Sequence, residues 1–269
     1  MPSLVYEMIL GYYLDTSPPA FLSAVHNWPS EIYDTEAIIN AVQTKWRQHQ
    51  SDRNLMESLA ELYLITDQPK EVVKFYLRLG KPETFEFIRR FRLFDDVKDD
   101  VLRFLELKSP SDEDSKTDEP NADGLSLLID HSHTIPPELV LKHLEKKPYF
   151  QYRYILALGE KLGGILEEWG DLQVELYAAF DRPRLLTFLR TSNSYNLEKA
   201  RVICEKRDYT QELVFIFSRM GDNKHALTVI IDKLENVEMA VEFVRNIGDE
   251  ELWDDLIERA KTKPGSPDL

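Results

Sequence analysis

Few residues in this 269-residue chain have the types and spacing that chemistry requires. His131-Ser132-His133 is the only close pair among six histidines. Metal-binding helices present ligands at i and i+4, whereas side chains two apart on a helix point in different directions. The pair lies just before Thr134-Ile135-Pro136-Pro137 and reads as solvated histidines in a turn. Cys204 is the sole cysteine, so neither an internal disulfide nor a multi-thiolate zinc site is available. It fits a reducing compartment and is expected to be a buried, inert thiol. Gly80-Lys81 is followed by Pro82, and Phe75 stands where a phosphate loop needs its first glycine. That glycine and the isolated Gly163-Gly164 suit the left-handed residue that ends a helix. Gly124-Leu125-Ser126-Leu127-Leu128 lacks the second glycine of a nucleophile elbow and has no strand before it. The carboxylate pairs Glu167-Glu168 and Asp254-Asp255 read as the solvated faces of amphipathic helices. No catalytic residue, metal site or cofactor is expected, and the chain reads as a non-enzyme.

Arg89, Arg90 and Arg92, interleaved with Phe91, form the densest basic cluster. They suit an acidic partner or a lipid headgroup. The structural alternative is an ion pair repeated between adjacent helices, because Arg89 and Arg190 fall at matching places in an internal repeat. Tyr12, Tyr13, Trp28, Trp46 and Trp169 read as core or hairpin-edge packing.

Thirty-three basic residues stand against forty-eight acidic ones, a formal charge of −15. That balance repels phosphate backbones and anionic bilayers over most of the surface, so no nucleic-acid partner is expected and membrane association only through partners. No stretch approaches the apolar length of a membrane span, and no basic region followed by an apolar run opens the chain. The first residues enter an amphipathic segment at once, as expected of a piece of something longer.

The elements that would carry these residues are helices. Candidate N-caps recur at Asn196, Asp208, Asp222, Asn236 and Asp249, in steps of 12, 14, 14 and 13 residues. Between them, apolar residues keep helical spacing: Ala226, Leu227, Ile230, Ile231 and Leu234, then Val237, Ala240, Val241, Val244 and Ile247, then Leu252, Trp253, Leu256 and Ile257. Ile38, Ile39, Val42 and Trp46, and Leu55, Met56, Leu59, Ala60 and Tyr63, form similar stripes. Pro18-Pro19, Pro69 and Pro136-Pro137 mark helix starts. Residues 73–102 match residues 174–203 at an offset of 101: Val73, Tyr76, Pro82, Phe87, Arg89, Lys98 and Val101 recur as Val174, Tyr177, Pro183, Phe188, Arg190, Lys199 and Val202. Asp95 and Asn196, in the same register, are expected to cap the next helix of each copy. Allowing for one insert, the offset leaves room for three helix hairpins. That insert, Ser109 to Ala122, holds no aliphatic residue larger than alanine and reads as a disordered acidic loop. Its serines and threonine are possible phosphorylation sites; the plainer reading is a tolerated surface insertion.

The second copy carries a resemblance. Asp171-Leu-Gln-Val-Glu-Leu-Tyr177, Asp181-Arg182-Pro183, Leu185-Leu-Thr-Phe-Leu-Arg190, Leu197-Glu-Lys-Ala200, Arg219-Met-Gly221, Lys224-His-Ala-Leu227 and Leu252-Trp-Asp-Asp-Leu-Ile257 resemble the clathrin heavy-chain repeat, in the form carried by subunits of the HOPS tethering complex. The likeness is strongest over residues 149–260 and looser upstream, at Asn27-Trp28-Pro29, Phe85-Glu-Phe-Ile88 and Ile135-Pro-Pro-Glu138. It does not extend to the insert. Full-length members carry a β-propeller and a RING domain, neither of which is seen here. The resemblance implies a scaffold in the fusion of vesicles and late endosomes with the lysosome or vacuole, on the cytosolic face of those membranes. Implied partners are other HOPS subunits, a second copy of the chain and, through the longer protein, a Rab-type or Arf-like GTPase and a vesicle adaptor complex. It transfers no functional residue.

The expected fold is therefore all-α: an α-solenoid of stacked antiparallel helix hairpins, with solenoid over 1–107, acidic loop over 108–123, repeat-like solenoid over 124–262 and a tail over 263–269. The alternative function is a peptide-binding, tetratricopeptide-like adaptor. If the helix phase is right, Ala240→Asp puts a charge into a helix seam and costs about 2–5 kcal/mol, while Glu238→Ala is nearly silent. Equal shifts in chemical denaturation would show the phase to be wrong.

Overall fold

The computed structural model describes residues 2–107 and 119–262; residues 108–118, which hold most of the acidic insert, and the tail 263–269 lie outside the described residues. Among the described residues there are seventeen α-helices, three short 3-10 segments and no strand. The chain is an all-α solenoid region. It divides into two compact units, Met1–Phe150 and Gln151–Leu269.

In the first unit, α1 (Pro2–Thr16), α2 (Pro18–Asn27), α3 (Thr35–Gln48), α4 (Arg53–Ile65), α5 (Pro69–Leu79), α6 (Thr84–Phe91), α7 (Val101–Glu106), α8 (Ala122–Asp130) and α9 (Pro137–His143) follow in order. Each pair α1–α2, α3–α4, α5–α6 and α7–α8 packs together, while α1 also meets α3, α2 meets α4, α6 meets α8 and α7 meets α9. Contact with the next helix and the next but one is the signature of stacked pairs. The stripes read from the sequence face inward: Val42, Leu55 and Leu59 are fully buried beside Leu10, Phe21 and Val72. Helix starts are chemically marked. Asp34 Oδ1 accepts from the amides of Glu36 and Ala37, Asp52 Oδ1 from those of Asn54 and Leu55, and prolines open α2, α5 and α9. Gly80 ends α5 with φ +68°, as its position implied.

The unit boundary falls inside α10 (Pro148–Leu162). The second unit continues with α11 (Gly170–Phe180), α12 (Arg182–Thr191), α13 (Leu197–Arg207), α14 (Thr210–Met220), α15 (Asn223–Asp232), α16 (Val237–Ile247) and α17 (Glu250–Thr262). Here α11 packs on α12 and α13, α12 on α14, α15 on α16 and α17. Arg182, at the start of α12, donates from Nε and Nη2 to both oxygens of Glu212 on α14, at 3.0 and 3.1 Å. Its guanidinium lies 4.3 Å from the centre of the Tyr209 ring, and the Tyr209 hydroxyl donates to the Ala178 carbonyl of α11 at 2.9 Å. Only 2% of the Glu212 side chain is exposed. From the far end of α14, Arg219 donates to the carbonyls of Leu189 and Ser192, to the Tyr195 hydroxyl and to Asn193 Oδ1. One side chain thereby fills the corner between α12 and α13.

The internal repeat is structural. Shifted by 101, the bounds of α5 coincide with those of α11, and α7 and α13 end in register at Glu106 and Arg207. Six helices, α5 to α10, separate the start of one copy from the start of the next, the number that three hairpins would need. Tyr76 and Phe87 meet at 5.3 Å in the first copy; Tyr177 and Phe188 meet edge-on at 5.5 Å in the second. A repeated ion pair exists too, but not at the arginines. Asp171 on α11 accepts from Lys199 Nζ at 2.5 Å; in the first copy Lys70, the counterpart of Asp171, pairs with Asp96 at 3.0 Å, two residues before Lys98, the counterpart of Lys199.

Several expectations need correction. Asp208 does not cap α14: it adopts φ +54° to close α13, and Tyr209 takes the cap position. Asn196, Asp222, Asn236 and Asp249 do accept from the first-turn amides of the helices that follow. Asp95 does not cap, because the chain passes through turns and a 3-10 segment before α7 begins at Val101. Val237, Ile247 and Ile257, counted in buried stripes, are exposed, since the neighbours cover a narrower face than the apolar pattern offers. Tyr12 is 65% exposed and joins Leu4, Val5 and Met8 on an uncovered face of α1. Finally, helix begins at Ala122, inside the stretch read as loop. Asn121 explains why: its Oδ1 accepts from the Gly124 amide at 2.8 Å, its Nδ2 donates to Leu107 O at 2.9 Å, and its own amide donates to Leu105 O at 2.9 Å. Gly124 is needed there, since a Cβ would stand 2.5 Å from the Phe104 carbonyl oxygen.

Two measurements follow from this packing. Cys204 is fully buried, and burial, with Glu212 next in effect, pushes its thiol pKa up to about 12. Iodoacetamide is expected to label it only at the rate of unfolding, and labelling of the native protein at the rate of a free thiol would contradict the packing. Asp171 is held below the ordinary carboxylate range by Lys199 first and the Asn196 amide second. Its contribution is present above the unfolded pKa and lost as pH falls through the folded one. Asp171→Asn should therefore cost about 1 kcal/mol near neutrality, a value discounted for solvent exposure, and flatten the acid limb of a melting-temperature profile.

Candidate interaction surface

The arginine cluster sits where α6 ends. Favourable cations at a helix C-terminus complement the partial negative charge there. Arg89 and Arg90 occupy the last turn, and Arg92 closes the helix at φ +54° with its amide on Ile88 O. Leu93, 4% exposed, turns back into the core and donates its amide to Ile88 O at 3.1 Å, which fixes the corner. All three arginines are exposed, and none makes an ion pair among the described residues. The repeated ion pair read for Arg89 and Arg190 is thus not formed. The nearby acids are partly engaged elsewhere: Asp96 by Lys70, and Asp100 by Arg103 at 2.7 Å. Glu86 and Asp95 lie close in sequence but pair with none of the three.

Aromatic rings run between these cations. Lys81 Nζ lies 5.5 Å from the centre of the Tyr76 ring, Tyr76 meets Phe87, Phe87 meets Phe91 at 4.6 Å, and the Arg90 guanidinium lies 5.5 Å from the Phe91 ring. Phe91 is 37% exposed. Beyond the corner, Phe94 stacks on His131 with centroids 3.5 Å apart, and His133 follows at 5.8 Å. His131 is therefore half-buried rather than solvated, a correction to the turn-histidine reading; His133 is exposed. Burial, then His133 and Arg89, hold the His131 pKa below its ordinary value, so at neutral pH it stacks as an uncharged ring. The result is a ridge of flat apolar rings carrying cations at both ends. The sequence showed the arginines and Phe91; Phe94 and His131 meet through two turns distant in the chain, and Lys81 reaches back to a ring five residues before it.

One groove of the second unit pairs its basic side chains with carboxylates. The groove between α15 and α17 is lined by Lys224, His225 and Arg259, which pair with Glu251, Asp222 and Asp232 at 3.0, 2.7 and 3.3 Å. Among the described residues no three His, Cys, Asp or Glu side chains are grouped to hold a metal ion, and no helix is long and apolar enough to cross a membrane.

Comparison with known proteins identifies what carries this arrangement. The family described as the Vps41 TPR-like region matches residues 1–266, the insert included. Vacuolar protein sorting-associated protein 41 of Schizosaccharomyces pombe is 36% identical over 97% of this chain and 30% of its own length. Its homologue in Mus musculus is 32% identical over 97% of the chain and 29% of its length, and that of Arabidopsis thaliana 36% over 97% and 27%. The chain thus spans about three-tenths of the length of the curated relatives it matches. No solved structure matches. With helix pairs in register, a match along nearly the whole sequence and similarity across fungal, animal and plant relatives, this chain belongs to the Vps41 family, in its TPR-like region.

Proposed function

We propose that this chain is a non-catalytic scaffold segment of a HOPS-type membrane-tethering subunit, acting where vesicles and late endosomes fuse with the lysosome or vacuole. The observation that carries the reading is the family match over residues 1–266 to proteins named for vacuolar protein sorting. The physical form agrees with it: stacked short helices spend their apolar stripes on one another and leave long surfaces for partners. The segment works on the cytosolic face of those membranes and reaches them through partners, in keeping with its charge of −15. Its partners are other HOPS subunits and, by way of the longer protein, a Rab-type or Arf-like GTPase and a vesicle adaptor complex. Self-association is supported by the uncovered face of α1, where Leu4, Val5, Met8 and Tyr12 are 56–69% exposed.

A second reading has one observation in its favour. A surface groove beside α2 and α4 gathers Ser23, His26, Asn27, Asn54, Glu57 and Lys81, the mixture of carboxamides and charges with which a tetratricopeptide-like adaptor holds an extended peptide. Affinity capture on this chain as bait, with HOPS subunits, late-endosomal GTPases and vesicle adaptors each supplied as purified prey, separates the two. Retention of a HOPS subunit, with light scattering giving the stoichiometry, is the expected result. Retention of adaptor alone, abolished by Asn54→Ala, favours the peptide groove; no retention of any prey overturns the scaffold reading.

A further inference from the structure

The two copies of the repeat allow the arginine corner to be compared with a version of itself that has no cluster. Shifted by 101, Arg90, Phe91 and Arg92 correspond to Thr191, Ser192 and Asn193. Helix α12 forms with these neutral residues, stopping at Thr191 with Ser192 extended where α6 runs on to Phe91, so the helix does not require two arginines and an exposed phenylalanine at this place. The helix dipole does not require them either, since the second copy meets it with Arg190 alone.

What occupies the second corner is visible. Ser192 O, Asn193 Oδ1 and the Tyr195 hydroxyl are acceptors, and a cation, Arg219, is seated among them. The first corner is the equivalent place in the repeat, with donors where the second copy has acceptors. It presents cations and a ring, and no described carboxylate pairs with them. A change of sign between the copies has a precedent nearby: Asp171, paired with Lys199, stands where the first copy has Lys70, and Lys70 finds its own partner in Asp96, two residues before the counterpart of Lys199. In the arginine corner the anionic half is missing among the described residues.

The geometry points to an acidic peptide segment of a partner protein, bearing an aromatic or large aliphatic residue, as the occupant of this corner. This rests on the interaction-scaffold reading and gives it a place and a chemistry. Carboxylates meet Arg89, Arg90 and Arg92, for which the guanidinium fork is suited. The apolar residue lies on the exposed Phe91, continuing the Tyr76–Phe87–Phe91 ring series. The −15 charge of the rest of the molecule repels a polyanion that lacks this anchor, so the corner selects for short acidic segments with a ring or branched side chain.

The test is fluorescence polarisation with the purified chain and a labelled peptide of about ten residues, glutamate and aspartate around a Leu-Phe pair, at near-physiological salt. The variant carries the second copy's residues, Arg90→Thr, Phe91→Ser and Arg92→Asn, with asparagine suited to the left-handed position. It should melt as the parent does and bind the peptide at least about tenfold more weakly, with oligo-glutamate weaker on the parent by a similar factor. A second variant, Arg90→Glu, changes one exposed side chain and should give the same loss. Unchanged affinity in both variants overturns the proposal. Equal binding of oligo-glutamate, binding of phosphatidylserine vesicles in place of the peptide, or binding only after deletion of residues 109–118 overturns it as well, the last by naming the chain's own acidic stretch as the occupant. Purified components alone are used, so failure here leaves the capture result on HOPS subunits untouched.

Discussion

A helix of six to fifteen residues is marginal in water, and every helix among the described residues falls within that range. Each must therefore borrow stability from its neighbours, and the only neighbours always available are the next helix and the next but one. That condition accounts for the apolar stripes, for the proline and Asx starts that fix where each helix begins, and for the left-handed residues that fix where it ends. Where apolar contact alone would leave two short helices free to slide, a polar contact sets the register. The bidentate Arg182–Glu212 pair does this between α12 and α14, with Tyr209 tying the same point to α11. Burying the Glu212 carboxylate is costly, and two charge-assisted hydrogen bonds plus the ring beneath the guanidinium offset that cost. Register specificity is what such a pair supplies best.

Charge is used differently on the two sides of the repeat. Both copies keep the ring pair, Tyr76–Phe87 and Tyr177–Phe188, because its apolar area holds the hairpin together whatever the surface does. Around it the polar residues are free to invert. Lys70 of α5 pairs with Asp96 in a turn and Asp171 of α11 with Lys199 of α13, so the same helix position ties its copy to the next element with either sign. Conservation of a contact and conservation of a residue are separate matters here. At the arginine corner the cations stand without an ion-pair partner among the described residues.

Much of this was legible in the sequence, and the reasons differ from element to element. The fold was readable because helical spacing is a local property and a 101-residue echo is visible without coordinates. Four of the five C-terminal caps were readable for the same reason; Asp208 was not, because an aspartate suits both the start of one helix and the left-handed end of another, and only the closing bonds of α13 decide. The arginines were legible as a cluster. Their want of a partner was not, because an ion pair between helices depends on side-chain reach across the seam. His131 was misjudged as solvated since the ring that covers it, Phe94, lies in a different loop. The echo itself held more than was drawn from it: Lys70 and Asp171 were in register on the page, but a change of sign breaks the identity that a repeat search rewards, and their partners Asp96 and Lys199 stand two places out of register.

Asn121 joins the two ends of the acidic stretch by three hydrogen bonds, two to the end of α7 and one into α8. Residues 107 and 121 are thereby neighbours regardless of what lies between them. The bonds that hold the two ends use only residues 105, 107, 121 and 124, and the entropy of closing a loop grows by only about 0.6 kcal/mol per doubling of its length, so the packed helices place little constraint on the size of that stretch. In evolutionary terms this clasp is a port: lineages can exchange one acidic sequence for another, extend it or shorten it, while the helices on either side keep their packing.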